Sequence, residues 1–593
     1  MSRIRLLLVS LLVLAAIGPV AQSHPLAHAQ EDEWQEEDPY SSEEETYDED
    51  PYYYEDAPTY DDALEVHEET EPEITETPDL SWLPDTTYRP VDFSPFEQAL
   101  AEISPERMRE LQGMIVEANI PQLQQLMDDH KLTSQELVLF YIDRIRTYDV
   151  GQLNAVTQIN PDALYLAHLR DIQRTNGEIK GPLQGIPVLL KENIATGDTM
   201  VTTAGAAALA DATAADDAYL VQQLRDAGAV ILGKVNMTEW ANWMHLSVAN
   251  GFSSFGGQTH SPFGGDPSGS STGSAVAVTA NFVPLAIGTE TIGSIISPST
   301  YASVVGMHPT TGLISSDNII PLSPDFDTAG PIGKSVEDVA VAMTVFAGTL
   351  DIADTRSSRA TPVAGMDFMA ALDPNALHGV RLGLIPIDDA YTDEDVIASF
   401  NSTGAVDALI AAGADVVVVR PTGMPEPDWW QIIACEMRDG INAYLQENQI
   451  EPSTLAEIIA LNESDPAVYM PLGQDRLIEA DGCQLSAEEA ETLARDAETT
   501  AQTYIDDLLE SNDLDALVAL DDSWSLEYGM AGYPAITVQR GIVGDWLTNL
   551  TFIGPSCSDV VLVGYAYAFQ QTGPYRQVPT LTAQDSSASP IPE

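Results

Sequence analysis

The chain has 593 residues and carries 92 acidic against 24 basic side chains, a formal net charge of −68. A field of that sign repels a phosphate backbone, which excludes nucleic acid as a partner. Hydrophobic residues make up 44 %, enough to bury a large core, while three cysteines (Cys435, Cys483 and Cys557) are too few for a disulfide scaffold and too far apart for a zinc ligand set.

In chain order, Arg3 and Arg5 come first, then an apolar stretch from Leu6 to Ile17, then Ala27-His28-Ala29 with small residues at −3 and −1. That is the layout of a secretory signal peptide cleaved after Ala29, so residues 1–29 predict a secreted or extracytoplasmic protein. The apolar run is short for a bilayer span of about 20 residues, and no later stretch is long and apolar enough, so no stable membrane insertion is expected. Residues 31–80 hold 23 Asp and Glu and no Lys or Arg. Segments such as Asp50-Pro51-Tyr52-Tyr53-Tyr54-Glu55-Asp56 carry no apolar period, so residues 30–94 read as an acidic, disordered spacer. Residues 579–593 read as a second loose end.

Residues 95–578 alternate helical patterns with apolar runs. Thr133-Ser134-Gln135-Glu136 is a capping box that opens a helix with Leu137, Phe140, Tyr141 and Ile145 on one face. Strands are predicted at 186–190, 229–233, 283–287, 381–385, 415–419, 516–519, 535–538 and 550–553, with a helix near 217–227. Such runs suit strands buried on both faces. The prediction is one α/β domain, a large, twisted, mainly parallel or mixed sheet flanked by helices.

Between Gly256 and Gly312 the chain turns rich in Gly, Ser and Thr, notably Ser268-Gly269-Ser270-Ser271-Thr272-Gly273-Ser274 and Gly288-Thr289-Glu290-Thr291-Ile292-Gly293-Ser294-Ile295. Small residues let backbone N–H groups approach a ligand, and interleaved apolar runs argue against a flexible linker. Gly269-Ser270-Ser271-Thr272-Gly273 matches the G-x-S-x-G elbow of serine hydrolases, but no buried strand precedes it and neither His308 nor His378 has the setting of a base. A lysine is the other base available to a serine. Only five lysines occur, and Lys191 stands at the C-terminal end of the strand 186–190, where α/β sheets place their ligands. Drawn into such a site, its ammonium has a lowered pKa and serves as a base near neutral pH.

These motifs, with their flanks Gly185–Asn193, Gly233–Trp240, Val305–Thr310, Asp327–Pro331 and Ala531–Ala535, resemble the amidase signature family, and within it most closely the peptide amidases. The likeness runs over about residues 118–576 in the same order. The resemblance implies the fold already expected, a Ser-cisSer-Lys triad, and hydrolysis of carboxamide bonds through an acyl-enzyme with no metal or organic cofactor. Position by position, Ser294 would be the nucleophile, Ser270 the bridging serine on a cis peptide bond and Lys191 the base. Backbone N–H groups of Thr291, Ile292, Gly293 and Ser294 would form the oxyanion hole. Lys234 would be structural, and Asp327 a hydrogen-bonding support. The implied partner is a small-molecule or peptide amide; the family's tRNA-dependent amidotransferase subunits fit neither the signal peptide nor the acidity.

The chain departs from the family in having Ile292 where Gly is common, Thr272 for a usual Gly, Ile296 where many members carry Arg, and a short stretch at 517–531. Two other readings remain open at this point, a serine esterase that uses Ser271 and a catalytically silent acidic surface protein. In an exported chain, Cys435 and Cys483 are expected to pair, since both fall in one helical excursion between late strands. The acidic spacer has no core to contribute. Deleting residues 30–90 should therefore leave turnover of a small neutral amide nearly unchanged, and loss of a cooperative melt in the shortened protein would show that the segment packs on the domain.

Overall fold

The structure, a computed structural model, describes residues 91–583 except 247–248, 388–389 and 426–427. The expected signal peptide, the expected spacer up to residue 90 and the tail from residue 584 lie outside the described residues. Within the last residues of the expected spacer, Val91 is buried and Phe93 packs on the core ahead of a helical turn at Ser94–Phe96. It also runs past residue 578, with Leu581 against the same core.

Among the described residues eleven strands make one mixed sheet flanked by helices, the expected architecture, and eight of the eleven correspond to predicted apolar runs. In chain order the strands are β1 (Val156–Ile159), β2 (Pro187–Lys191), β3 (Val230–Val235), the short hairpin pair β4 (Phe252–Ser253) and β5 (Gly257–Gln258) outside the sheet, β6 (Leu285–Glu290), β7 (Val305–His308), β8 (Thr328–Gly333), β9 (Arg381–Leu384), β10 (Asp415–Val418), β11 (Ala516–Leu520), β12 (Ala535–Val543) and β13 (Trp546–Ile553). Their order across the sheet is β1-β3-β2-β6-β8-β7-β12-β13-β11-β9-β10. β3, β2 and β6 run parallel, as do β11, β9 and β10, while β6, β8, β7, β12 and β13 alternate in direction. Every residue of β2, β3 and β6 is buried, the pattern of strands covered on both faces.

β1, β7 and β8 escape an apolar-run reading; Gly306 interrupts β7, and Gly330, Pro331 and Gly333 interrupt β8. A Cβ on Gly330 would lie 2.0 Å from the Met307 carbonyl oxygen, so only glycine lets β7 and β8 approach. The capping box forms as predicted: Thr133 accepts from the Glu136 N–H, and the helix Ser134–Tyr148 buries Leu137, Phe140, Tyr141 and Ile145. The helix Thr272–Thr279 is buried on all sides, which its small and apolar residues permit.

Parallel strands bring their C-terminal ends to one edge of the sheet. Lys191 is the last residue of β2, Glu290 the last of β6, and the register Glu290↔Thr328 sets the first residue of β8 beside them. That edge carries the site.

Cys435, on the helix Trp429–Glu447, and Cys483, in the turn before the helix Ala487–Asn512, form the expected disulfide, with Cα atoms 5.3 Å apart across a sequence separation of 48. Cys557 is a half-buried thiol whose Sγ points at the Arg359 carbonyl. A non-reduced digest should join the Cys435 and Cys483 peptides and leave Cys557 alkylatable. Replacing both paired cysteines by Ala should cost roughly 3–4 kcal/mol in a denaturant melt, by loop-closure entropy.

Candidate active site

Lys191 is fully buried, and its Nζ lies 2.8 Å from Ser270 Oγ, 2.9 Å from Ser271 Oγ and 3.0 Å from the Thr289 carbonyl oxygen. Burial lowers its pKa to about 7, against the smaller opposing pull of the Asp327 and Glu290 carboxylates. A neutral amine has two hydrogens and one lone pair for these three contacts. The Thr289 carbonyl can only accept. Ser271 donates its single hydroxyl hydrogen to that carbonyl oxygen at 3.0 Å, so toward Lys191 it too accepts. The lone pair of Nζ is left facing the hydroxyl of Ser270.

Local backbone explains why the serines sit so close. The Gly269–Ser270 peptide bond is cis, and the Ser270 carbonyl accepts the Thr238 N–H at 3.1 Å. A Cβ on Gly269 would lie 2.4 Å from Thr238 Oγ1, and one on Gly288 would lie 2.8 Å from Ser271 Oγ. Both glycines are therefore needed for contact rather than for flexibility. Ser271 N–H donates to the Ser294 carbonyl at 3.1 Å and ties the two Gly/Ser-rich segments together. Ser270 and Ser271 are buried, whereas Ser294 is half-buried at the mouth of the turn that follows β6.

That turn, Thr291–Ser294, passes through a left-handed Gly293 (φ 76°). The N–H groups of Thr291, Ile292, Gly293 and Ser294 donate to no backbone carbonyl among the described residues, which leaves them available to an anion. Two carboxylates brace the turn. Asp327 accepts from the Thr291 hydroxyl at 2.5 Å and from the N–H groups of Leu322 and Ser323 at 2.7 and 3.0 Å. Glu290 accepts from the N–H groups of Ile295 and Ile296 through one oxygen, and from Tyr528 Oη at 2.8 Å and His308 Nδ1 at 3.0 Å through the other. Burial alone would push the Glu290 carboxyl up, but His308 and the two N–H groups outweigh it and hold the carboxyl below its ordinary value. Glu290 stays charged where it grips the turn.

The structure thus brings Lys191 and Ser270 into contact and places Ser294 and the four N–H donors on the adjoining turn. It does not make Ser271 a nucleophile, since that hydroxyl is buried and its hydrogen is committed to Thr289. Lys234 is buried too, but its Nζ bonds the Ile194 carbonyl at 2.8 Å and Thr202 Oγ1 at 2.6 Å, so it pins loops beside the site. Asp327 is the support expected of it. Glu290 had been seen in the motif without a role, and His308 only as an unsuitable base. Tyr528 gave no signal, because its bond to Glu290 spans 238 residues. Among the described residues no group of three or more His, Cys, Asp or Glu side chains is arranged to hold a metal, and no helix is long and apolar enough to cross a membrane.

Comparison with known proteins identifies the family. The family model described as amidase matches residues 136–519. The chain is 35 % identical over 481 residues to a probable amidase of Arabidopsis thaliana, covering 79 % of this chain and 92 % of that one. The crystal structure of an amidase family protein from Bacillus anthracis superposes with a TM-score of 0.76 at 33 % identity, over 82 % of this chain and 97 % of that one. The peptide amidase of Stenotrophomonas maltophilia does so with a TM-score of 0.73 at 39 % identity, over 78 % and 99 %.

Proposed function

Because the chain belongs to the amidase family of hydrolases, we propose that it is an exported amidase cleaving carboxamide bonds of small amides or C-terminal peptide amides. The observation that carries the mechanism is the buried, neutral-prone Lys191 amine 2.8 Å from Ser270 Oγ. The likeness to a peptide amidase supports the substrate class, and residues 1–29 support export.

Lys191 accepts the proton of Ser270 while Ser270 accepts that of Ser294. The Ser294 oxygen attacks the amide carbonyl, and the new oxyanion is met by the N–H groups of Thr291, Ile292, Gly293 and Ser294. The relay reverses: Lys191 returns a proton through Ser270 to the nitrogen, the C–N bond breaks, and ammonia or amine leaves. Water then attacks the acyl-enzyme, its proton taking the same route, and the acid departs from a restored Ser294. These three side chains move every proton of the cycle. The branched Ile292 side chain stands beside the oxyanion donors, where the family often has no side chain, and narrows the space for the acyl group.

Replacing Lys191 or Ser294 by Ala should lower kcat/KM about 10³-fold or more with folding retained, and Ser271→Ala should be far milder. Ammonia release over a panel of amides measures this. A dead Ser271→Ala beside an active Lys191→Ala would sink the reading in favour of an esterase-type elbow.

The pH profile follows from the lowered pKa. Lys191 works as a base only when neutral, so kcat/KM should fall about tenfold per pH unit below about 7 and level off above it. An acid limb near the ordinary lysine range would mean that the amine is not desolvated.

A further inference from the structure

The turn that carries Ser294 is backed by a short helix late in the chain, Ser525–Ala531. Three neighbours on that helix touch the turn or its brace. Tyr528, fully buried, donates its hydroxyl to Glu290 at 2.8 Å, and its ring meets that of His308 edge-on, with centroids 5.1 Å apart. Gly529 lies so close to Thr291 that a Cβ there would stand 2.6 Å from the Thr291 carbonyl oxygen. Ser525 lies against Gly293, where a Cβ would come within 3.1 Å of the serine hydroxyl.

The turn needs such backing. Its four N–H groups are spent on no ladder, and Gly293 supplies little stiffness of its own. Oxyanion donors must nevertheless be held to about 0.5 Å to work. Glu290 grips the turn from the Ile295 and Ile296 side, and Asp327 holds the Thr291 hydroxyl. Neither of them blocks the Thr291–Gly293 backbone from recoiling away from a substrate. Helix 525–531 occupies that side.

We propose that the helix Ser525–Ala531 is the positioning platform of the oxyanion turn, Tyr528 acting through Glu290 and Gly529 through its contact with Thr291. Resting on the amidase reading, the assignment adds residues that touch no substrate yet set the geometry of the donors that do. It also gives the short 517–531 stretch a task inside the site.

The test uses the full-length enzyme, a neutral amide substrate and the aldehyde analogue of that amide. Addition of a serine hydroxyl to the aldehyde forms a tetrahedral adduct whose oxyanion sits on the same N–H groups. Tyr528→Phe keeps the ring and removes only the bond to Glu290. Its kcat should fall about tenfold, less than for outright loss of a donor, with KM within about twofold of wild type. The aldehyde inhibition constant should rise by the same factor as kcat/KM falls, because both report transition-state geometry. A packing defect alone would lower the melting temperature without that proportion. Gly529→Ala keeps the Tyr528–Glu290 bond and pushes on Thr291 instead; its loss should exceed that of Tyr528→Phe, and it decides the matter if Tyr528→Phe fails to fold. Wild-type kcat and aldehyde affinity in the folded variants, or a fall in kcat with unchanged aldehyde affinity, would overturn the platform. Ser294→Ala run alongside separates the two claims: full activity there refutes the amidase mechanism, whereas an inactive Ser294→Ala beside a wild-type-like Tyr528→Phe refutes only the platform.

Discussion

A lysine amine taken out of water at the end of a buried strand is the constraint on which the site depends. An exposed lysine stays protonated and cannot take a proton from a serine near neutral pH. At position 191, burial lowers the pKa to about 7. Ser271 and Thr289 absorb both hydrogens of the neutral amine, and its lone pair turns to Ser270. Destabilising the ammonium costs folding energy, and the fold offsets that cost with a sheet whose β2, β3 and β6 are buried throughout. The most apolar part of the molecule and its neutral-prone amine are therefore the same place.

Proximity at this edge is achieved by omission of side chains. Gly269 and Gly288 let Ser270 and Ser271 reach the amine, and Gly529 lets the late helix reach Thr291. In each case a methyl group would stand under 3.0 Å from a neighbour, so these glycines are steric requirements at distant points of the chain. Their combined effect is to bring the cis-serine loop, the Ser294 turn and helix 525–531 together. Carboxylates then lock the arrangement: Asp327 and Glu290 each bind the turn through neutral donors and remain close enough to temper the Lys191 shift.

Much of this was legible in the chain itself, and what was not has physical causes. The buried parallel strands read as apolar runs, with ends displaced by up to three residues, because burial on both faces leaves no polar interruption. β7 and β8 did not, since Gly306, Gly330 and Pro331 are there for close approach and look like loop. Lys191 stood out because lysine is scarce and it ends a strand; Ser294 was singled out by family likeness, not by any local pattern. The pairing of Cys435 with Cys483 followed from their shared helical excursion. Tyr528 was invisible as a support of Glu290, for a contact spanning 238 residues leaves no periodic trace in sequence, and His308, 18 residues from Glu290, was weighed only as a base.

The acidity of the chain and the neutrality of its buried lysine have to coexist. A net charge of −68 favours the protonated ammonium everywhere in its field, which works against a base. Distance and screening decide the contest. At about 0.1 M salt, exposed charges beyond roughly 10 Å are largely damped, while a buried pair is not. Surface carboxylates thus act on solubility and on the encounter with charged molecules, and the carboxylates that reach Lys191 are the buried Glu290 and the half-buried Asp327. Both are tied up by hydrogen-bond donors from the turn and its surroundings, which spreads their charge over several dipoles. The same bonds that hold the turn 291–294 in place keep these carboxylates from restoring the lysine to an ordinary cation.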